Sequence, residues 1–240
     1  MSKSSLTKLS LALALPVFAI GTIFTQSIAA QNPEMQQKIA DVKLAAAMNK
    51  QALAQYTYVQ TTTISIKGDV KKVTHDQVVT GPDGKPQKTS LDPPAAPPQP
   101  SGGRIKQRII EKKKDEFTDY ADSIKALIQQ YVPPDKDLIQ QAASSGNIAL
   151  SPGGAPGLIQ LVISNYVKQG DKMTIVFNKA AGGMQSVSIA TYLSDPKDAV
   201  TVNVQYATIP GGPSHPSTVT INGVSKQLTI VQQNDGYRHL

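Results

Sequence analysis

Cysteine and tryptophan are both absent from this 240-residue sequence, and aromatic residues make up only 5% of it. Without cysteine there are no disulfides, no thiol catalysis, no cysteine metal site and no lipidated cysteine of the bacterial lipoprotein kind. Stability has to come from packing alone, for which roughly 200 residues suffice. Histidine is scarce too. His75, His215 and His239 fall on a polar strand, in a proline-glycine loop and at the chain end, and no two have the spacing of metal ligands. Ser214-His215 with Asp195 supplies the residue types of a hydrolytic triad, but no G-x-S-x-G elbow surrounds the serine. Gly153-Gly154-Ala155-Pro156-Gly157 lacks the Lys-Ser or Lys-Thr of a phosphate loop and reads as a plain loop. The expectation is a non-enzymatic protein without metal or cofactor.

What is present begins with a leader. Lys3 and Lys8 precede an apolar stretch from Leu9 to Phe24, and Ser27-Ile28-Ala29 offers the small, spaced residues that a signal peptidase reads. Gly21 and Thr22 interrupt a stretch already shorter than the roughly 20 apolar residues a spanning helix needs. The pattern predicts a signal peptide over 1–30, cleaved near Ala30, and a mature chain in the periplasm, with an extracellular location as the other outcome of export. Losing Lys3 and Lys8 takes the net charge from +7 to +5, 22 basic residues against 17 acidic ones. That mild bias suits anionic lipid or cell-wall polymer, and export argues against nucleic acid as a partner.

Along the mature chain the periods alternate between helical and extended. Pro33 to Gln55 reads as a helix with Met35, Ile39, Val42, Ala46 and Leu53 on one side. Strands follow over Tyr56 to Ile66, Val70 to Thr80 and a third through Thr89 and Leu91, turned by Lys67-Gly68-Asp69 and Gly81-Pro82-Asp83-Gly84. Asp92 to Gly103, with five prolines and two glycines, reads as an exposed loop. Arg104 to Tyr131 is a long amphipathic helix, with Ile105, Ile109, Phe117, Tyr120, Ile124, Leu127, Ile128 and Tyr131 on one side and the Lys112 to Lys114 run on its wet face. Asp135 caps a short helix through Ala143. Six strands are then predicted at Leu158 to Lys168, Lys172 to Asn178, Met184 to Leu193, Ala199 to Thr208, Ser217 to Asn222 and Val224 to Gln232, the last pair turned at Asn222-Gly223. Short connections imply antiparallel pairing.

An exported chain with this order of elements resembles the LolA-like superfamily of periplasmic lipoprotein carriers. The likeness runs over most of residues 33 to 238 and is closest where Gln51 to Tyr58 lead the first helix into the first strand, and in the closing meander to Tyr237. It implies an α+β fold: an unclosed β-barrel, a curved antiparallel sheet covered on its concave side by amphipathic helices, in one domain over 31–240. It also implies an apolar cavity for acyl chains. Carriers of this family line that cavity with aromatics and lock its lid with an arginine on an early strand, whereas Arg104, Arg108 and Arg238 lie elsewhere here. The implied ligand is thus apolar in general: a lipid, a lipoprotein acyl chain or another apolar molecule.

Candidate ligand-binding residues are Phe117, Tyr120, Ile124, Leu127 and Tyr131 on the helix face, and Tyr58, Ile64, Ile66, Val187, Ile189, Val202, Val204 and Tyr206 on the sheet. The same periodicity serves a filled core, so a structural or protein-interaction module without ligand is the competing expectation. Expected partners are an apolar ligand or lipid together with a lipoprotein or envelope protein, and the expected state is a monomer.

Overall fold

The computed structural model describes residues 47–93, 104–132, 134–178 and 183–240. The predicted leader, most of the first helix and nearly all of the segment Asp92 to Gly103 lie outside the described residues. Residues 47–53 are helical. Ten strands follow, interrupted once by two helices: β1 (Tyr56–Ile66), β2 (Asp69–Thr80), β3 (Pro86–Ser90), α1 (Arg104–Ile128), α2 (Lys136–Ser144), β4 (Ile148–Pro152), β5 (Leu158–Ser164), β6 (Lys172–Asn178), β7 (Gly183–Tyr192), β8 (Ala199–Thr208), β9 (Ser214–Gly223) and β10 (Leu228–His239). All belong to one antiparallel sheet in the order β3-β2-β1-β10-β9-β8-β7-β6-β5-β4, which leaves β3 and β4 as its two edges. The sheet is therefore unclosed, and β10 brings the end of the chain back beside its first strand.

Register explains why these strands pair as they do. Residues directly opposite each other in antiparallel strands share a face. Ile64, Ile230, Ile221, Val202, Ile189, Met173, Ile163 and Ile148 stand in one unbroken row across eight strands. A slip of one residue in any strand would turn its member of this row to the other face. That other face is polar but short-chained. Ser188 donates to Asn203 at 2.9 Å and Thr229 to Asn222 at 2.9 Å, so its hydroxyls and amides bond to one another along the sheet.

Helix side chains pack on the apolar face. Tyr120, Ala121, Ile124, Leu127, Ile128 and Tyr131 from α1 and its exit, with Ile139 and Ala142 from α2, form one buried cluster with the sheet residues. Burial of each large aliphatic side chain among them contributes roughly 1.5–3 kcal/mol. Asp135 caps α2 as expected, its carboxylate accepting from the backbone N–H groups of Asp137 at 2.8 Å and Leu138 at 3.1 Å.

Three expectations need correction. Leu158 to Lys168 is not one strand: β5 stops at Ser164, because the buried Asp171 carboxylate accepts from the N–H groups of Tyr166, Val167 and Lys168 and folds them around itself. A short strand, β4, precedes it and had no alternating signal of its own. Asn222-Gly223 is not a hairpin turn. β9 runs through Gly223, the turn is Val224 to Gln227, and β10 begins only at Leu228. Gly223 is there for closeness, since a β-carbon on it would lie 2.7 Å from Ile124 Cδ1 and 2.7 Å from Tyr120 Oη.

Candidate functional site

Gly223 fixes where α1 meets the sheet, and the rest of the helix-bearing face can be read outward from it. Tyr120 Oη donates to Asp198 at 2.7 Å, and burial followed by that carboxylate pushes its phenol up to about 12. At the helix exit Tyr131 Oη donates to Asp171 at 2.6 Å and meets Thr191 Oγ1 at 2.7 Å. Burial first, then the Asp171 bond, pushes the Tyr131 phenol far above its ordinary value. These two tyrosines clamp α1 at both ends of its buried stretch. Phe117, one turn earlier, is only half-buried, with Lys226 Nζ 5.8 Å above its ring and Glu116 3.7 Å from the same lysine. Lys112 and Lys113 are exposed, as expected of a wet helix face.

Of the thirteen ligand-binding candidates, Ile64, Tyr120, Ile124, Leu127, Tyr131, Val187, Ile189, Val202, Val204 and Tyr206 are all buried in the common cluster. Ile66 packs against its margin. Tyr58 is set apart from them, half-buried and stacked on Tyr237 with ring centroids 4.8 Å apart.

Beyond Val204 the character of this face changes. In the row next to the apolar one, Val187, Val204 and Val219 give way to Gln232 and Thr62. One step further the row holds Tyr206 opposite Pro216, then Asn234 opposite Gln60. Gln60, Thr62, Gln232, Asn234 and His215 are all buried. Gly236, at φ +63°, makes a bulge opposite the irregularity between Thr57 and Val59, and this brings Tyr237 to the side of Tyr58. The His215 ring lies 4.0 Å from that of Tyr237, and burial pulls its imidazole below the ordinary value, partly offset by its contact with the Pro216 carbonyl. Burial likewise pushes the Tyr58 phenol up to about 12.

A chain of hydrogen bonds runs through these groups. Lys88, the one half-buried residue of edge strand β3, donates to Gln60 Oε1. Gln60 Nε2 donates to Asn234 Oδ1 at 2.8 Å, and Asn234 Nδ2 donates to the Pro216 carbonyl at 2.9 Å. An ammonium can only donate and a carbonyl can only accept, so both amides are oriented from the two ends. Burial depresses the Lys88 ammonium below its usual range, Asp76 partly restores it, and the Lys125 charge depresses it further. Among the described residues Lys88 has no carboxylate within ion-pair distance. Tyr206 Oη is buried without a hydrogen-bond partner among the described residues.

Sequence reasoning passed over Gln60, Lys88, Asn234 and Tyr237 because they are polar or far apart in the chain, and weighed His215 only for catalysis and metal binding. Strand parity was the available signal: Tyr58, Gln60 and Thr62 continue the period-two series of Ile64 and Ile66. Ser214 and His215, expected in a proline-glycine loop, open β9 opposite Thr208 and Ala207, at the other end of β8 from Asp195 in the turn before Ala199. No group of three or more His, Asp or Glu side chains with metal-binding geometry occurs among the described residues.

No family model matches the chain, and no curated protein matches it. Among solved structures it is similar to the LolA superfamily protein NE2245 from Nitrosomonas europaea, at 9% sequence identity and a TM-score of 0.34, over 82% of this chain and 93% of that one. A likeness at that level carries no argument about what this chain binds.

Proposed function

We propose that this protein is a non-enzymatic binding protein or carrier for an apolar ligand, a lipid or lipoprotein acyl chain, held on the helix-bearing face of the sheet. In this reading the leader is removed near Ala30 on export, the mature chain is a periplasmic monomer, and the face is the concave side of a curved sheet with α1 as its cover. The observation that carries it is the grading of one buried face, from the row of Ile64, Ile230, Ile221 and Val202 to amide and hydroxyl groups ending at Tyr206 Oη, which has no partner among the described residues. A core built only to be filled leaves such a hydroxyl at a cost of about 1–3 kcal/mol. An amphiphile needs both halves of that gradient.

The experiment is titration of the wild type and Phe117→Ala with a fluorescent fatty acid. Phe117 is half-buried at the margin of the cluster, so its truncation should weaken uptake while costing less than the roughly 2–5 kcal/mol of a fully enclosed large-to-small change. Absence of uptake by the wild type would defeat the proposal. One observation favours a second reading, a filled-core interaction module: the tight seating of Ile124 and Tyr120 on Gly223 leaves no room for a ligand there. The titration separates the two.

A further inference from the structure

The polar end of the graded face has a chemistry of its own. Lysine on an edge strand ordinarily reaches into water, where it discourages pairing with other sheets. Every other residue of β3 is exposed, yet Lys88 is half-buried and turned onto Gln60. On the neighbouring strands Lys72 stands opposite Ile64 and Asp76 opposite Gln60, so the same side of β2 carries one lysine and one aspartate. With Lys125 near enough on α1 for its charge to act on Lys88, positive charge outweighs negative at this corner, three lysines to two aspartates when Asp92, on which Lys72 acts, is counted with Asp76.

The donors lean the same way, by a smaller margin. Gln60 Oε1 is taken by Lys88, Asn234 Oδ1 by Gln60 and the Pro216 carbonyl by Asn234. Each of these oxygens is thereby engaged once within the chain. Of the N–H groups, three on the ammonium and two on each amide nitrogen, three make these bonds and four are left over, beside the second lone pair of each oxygen. Tyr206 Oη adds a buried O–H with no partner among the described residues, in the row that also holds Asn234 and Gln60. A cluster rich in spare donors and positive charge matches a group that only accepts. Oriented donors that have lost their water bind such an anion through charge-assisted bonds.

Resting on the carrier reading, we infer that Lys88, Gln60, Asn234 and Tyr206 receive the anionic head of an amphiphile, a carboxylate or phosphate monoester, whose chain lies along the apolar row beginning at Ile64 and Ile230. Tyr58 and Tyr237, stacked and half-buried beside this corner, flank the head group. Asp76 opposes a second negative charge, which favours a head with one charge over one with two.

The test uses cis-parinaric acid, its methyl ester, dodecyl phosphate, dodecanol and inorganic phosphate with the full mature chain. The wild type should bind the acid at least about tenfold more tightly than the ester, and dodecyl phosphate should displace the acid where dodecanol does so poorly. Lys88→Gln should erase most of that preference by weakening the acid and leaving the ester within twofold. Lys85→Gln, a lysine in the β2–β3 turn with its side chain 81% exposed, is the charge-matched control and should change neither. Equal affinity of the wild type for acid and ester would overturn the inference and leave the carrier reading standing, and this arm needs no variant to fold. Displacement of the acid by inorganic phosphate alone would make the corner a free-anion site and overturn the amphiphile. If neither probe binds the wild type, the carrier reading falls and takes the inference with it.

Discussion

Replacing Gly223 by alanine adds one methyl group at the point where α1 meets the sheet. Its β-carbon would lie 2.7 Å from Ile124 Cδ1, 2.7 Å from Tyr120 Oη and 2.8 Å from Tyr120 Cε1, all too close to stand unchanged. Ile124 is fully buried, and the Tyr120 hydroxyl is tied to Asp198 at 2.7 Å, so neither side chain can move aside freely. Overpacking of this kind costs about 1–3 kcal/mol. Gly223 does not have a positive φ, so alanine incurs no backbone strain and recovers about 0.5–1 kcal/mol of chain entropy. The two together span a net loss of about 0–2.5 kcal/mol, centred near 1 kcal/mol, which for a domain of this size lowers the thermal midpoint by roughly 2–4 °C. Ile124→Val removes the crowded Cδ1 and alone should cost about 0.5–1.5 kcal/mol. Combined with Gly223→Ala it should cost less than the two single changes added together, because one relieves the other. Urea or thermal unfolding of the four proteins measures this. A midpoint raised in Gly223→Ala, or strict additivity in the pair, would refute the seating of the helix on this glycine.

Tyr131→Phe removes a donor from the buried Asp171 and a partner from Thr191, and should cost about 1–3 kcal/mol in urea unfolding. Tyr192→Phe, whose hydroxyl reaches the exposed Gln169 carbonyl, should cost far less. Tyr206→Phe discards a buried hydroxyl without a partner among the described residues, so stability should hold or rise; a loss above about 1 kcal/mol would mean that the hydroxyl is paired. Asp92 accepts from the His75 ring at 2.8 Å and from its backbone N–H at 2.8 Å, and these bonds hold its carboxyl below the ordinary 3.8. Since the folded value lies below the unfolded one, the contact's contribution is complete above the unfolded value and is lost as pH falls through the folded one. A carboxyl NMR titration should place the inflection below 3.8 in the wild type and move it upward in His75→Ala; no movement would show that His75 is not the cause.

Alternation made much of the sheet legible. Val200, Val202 and Val204 appear in the sequence as one face of a strand, and they occupy that face in β8. Turn chemistry misplaced the last hairpin, because the Asn222-Gly223 pair looks like a turn until the helix above Gly223 is known. β4 carries too few residues to show a period. The clamp between Tyr131 and Asp171 joins positions forty apart, and no local pattern announces it. The polar corner was hidden for a different reason. Searching for apolar residues selects Ile64 and Val204 and passes over Gln60, Asn234 and Lys88, whose burial depends on strands far along the chain. Gly236 conceals Tyr237 as well, since its bulge changes the parity of β10 just before that residue.

Native mass spectrometry of the protein purified without detergent from its own cell envelope tests the central claim most directly. A bound apolar ligand predicts a mature chain beginning near Gln31 and carrying an excess mass of lipid size, released on unfolding and reduced in Phe117→Ala. A bare mature chain that also takes up no fatty acid probe would contradict it.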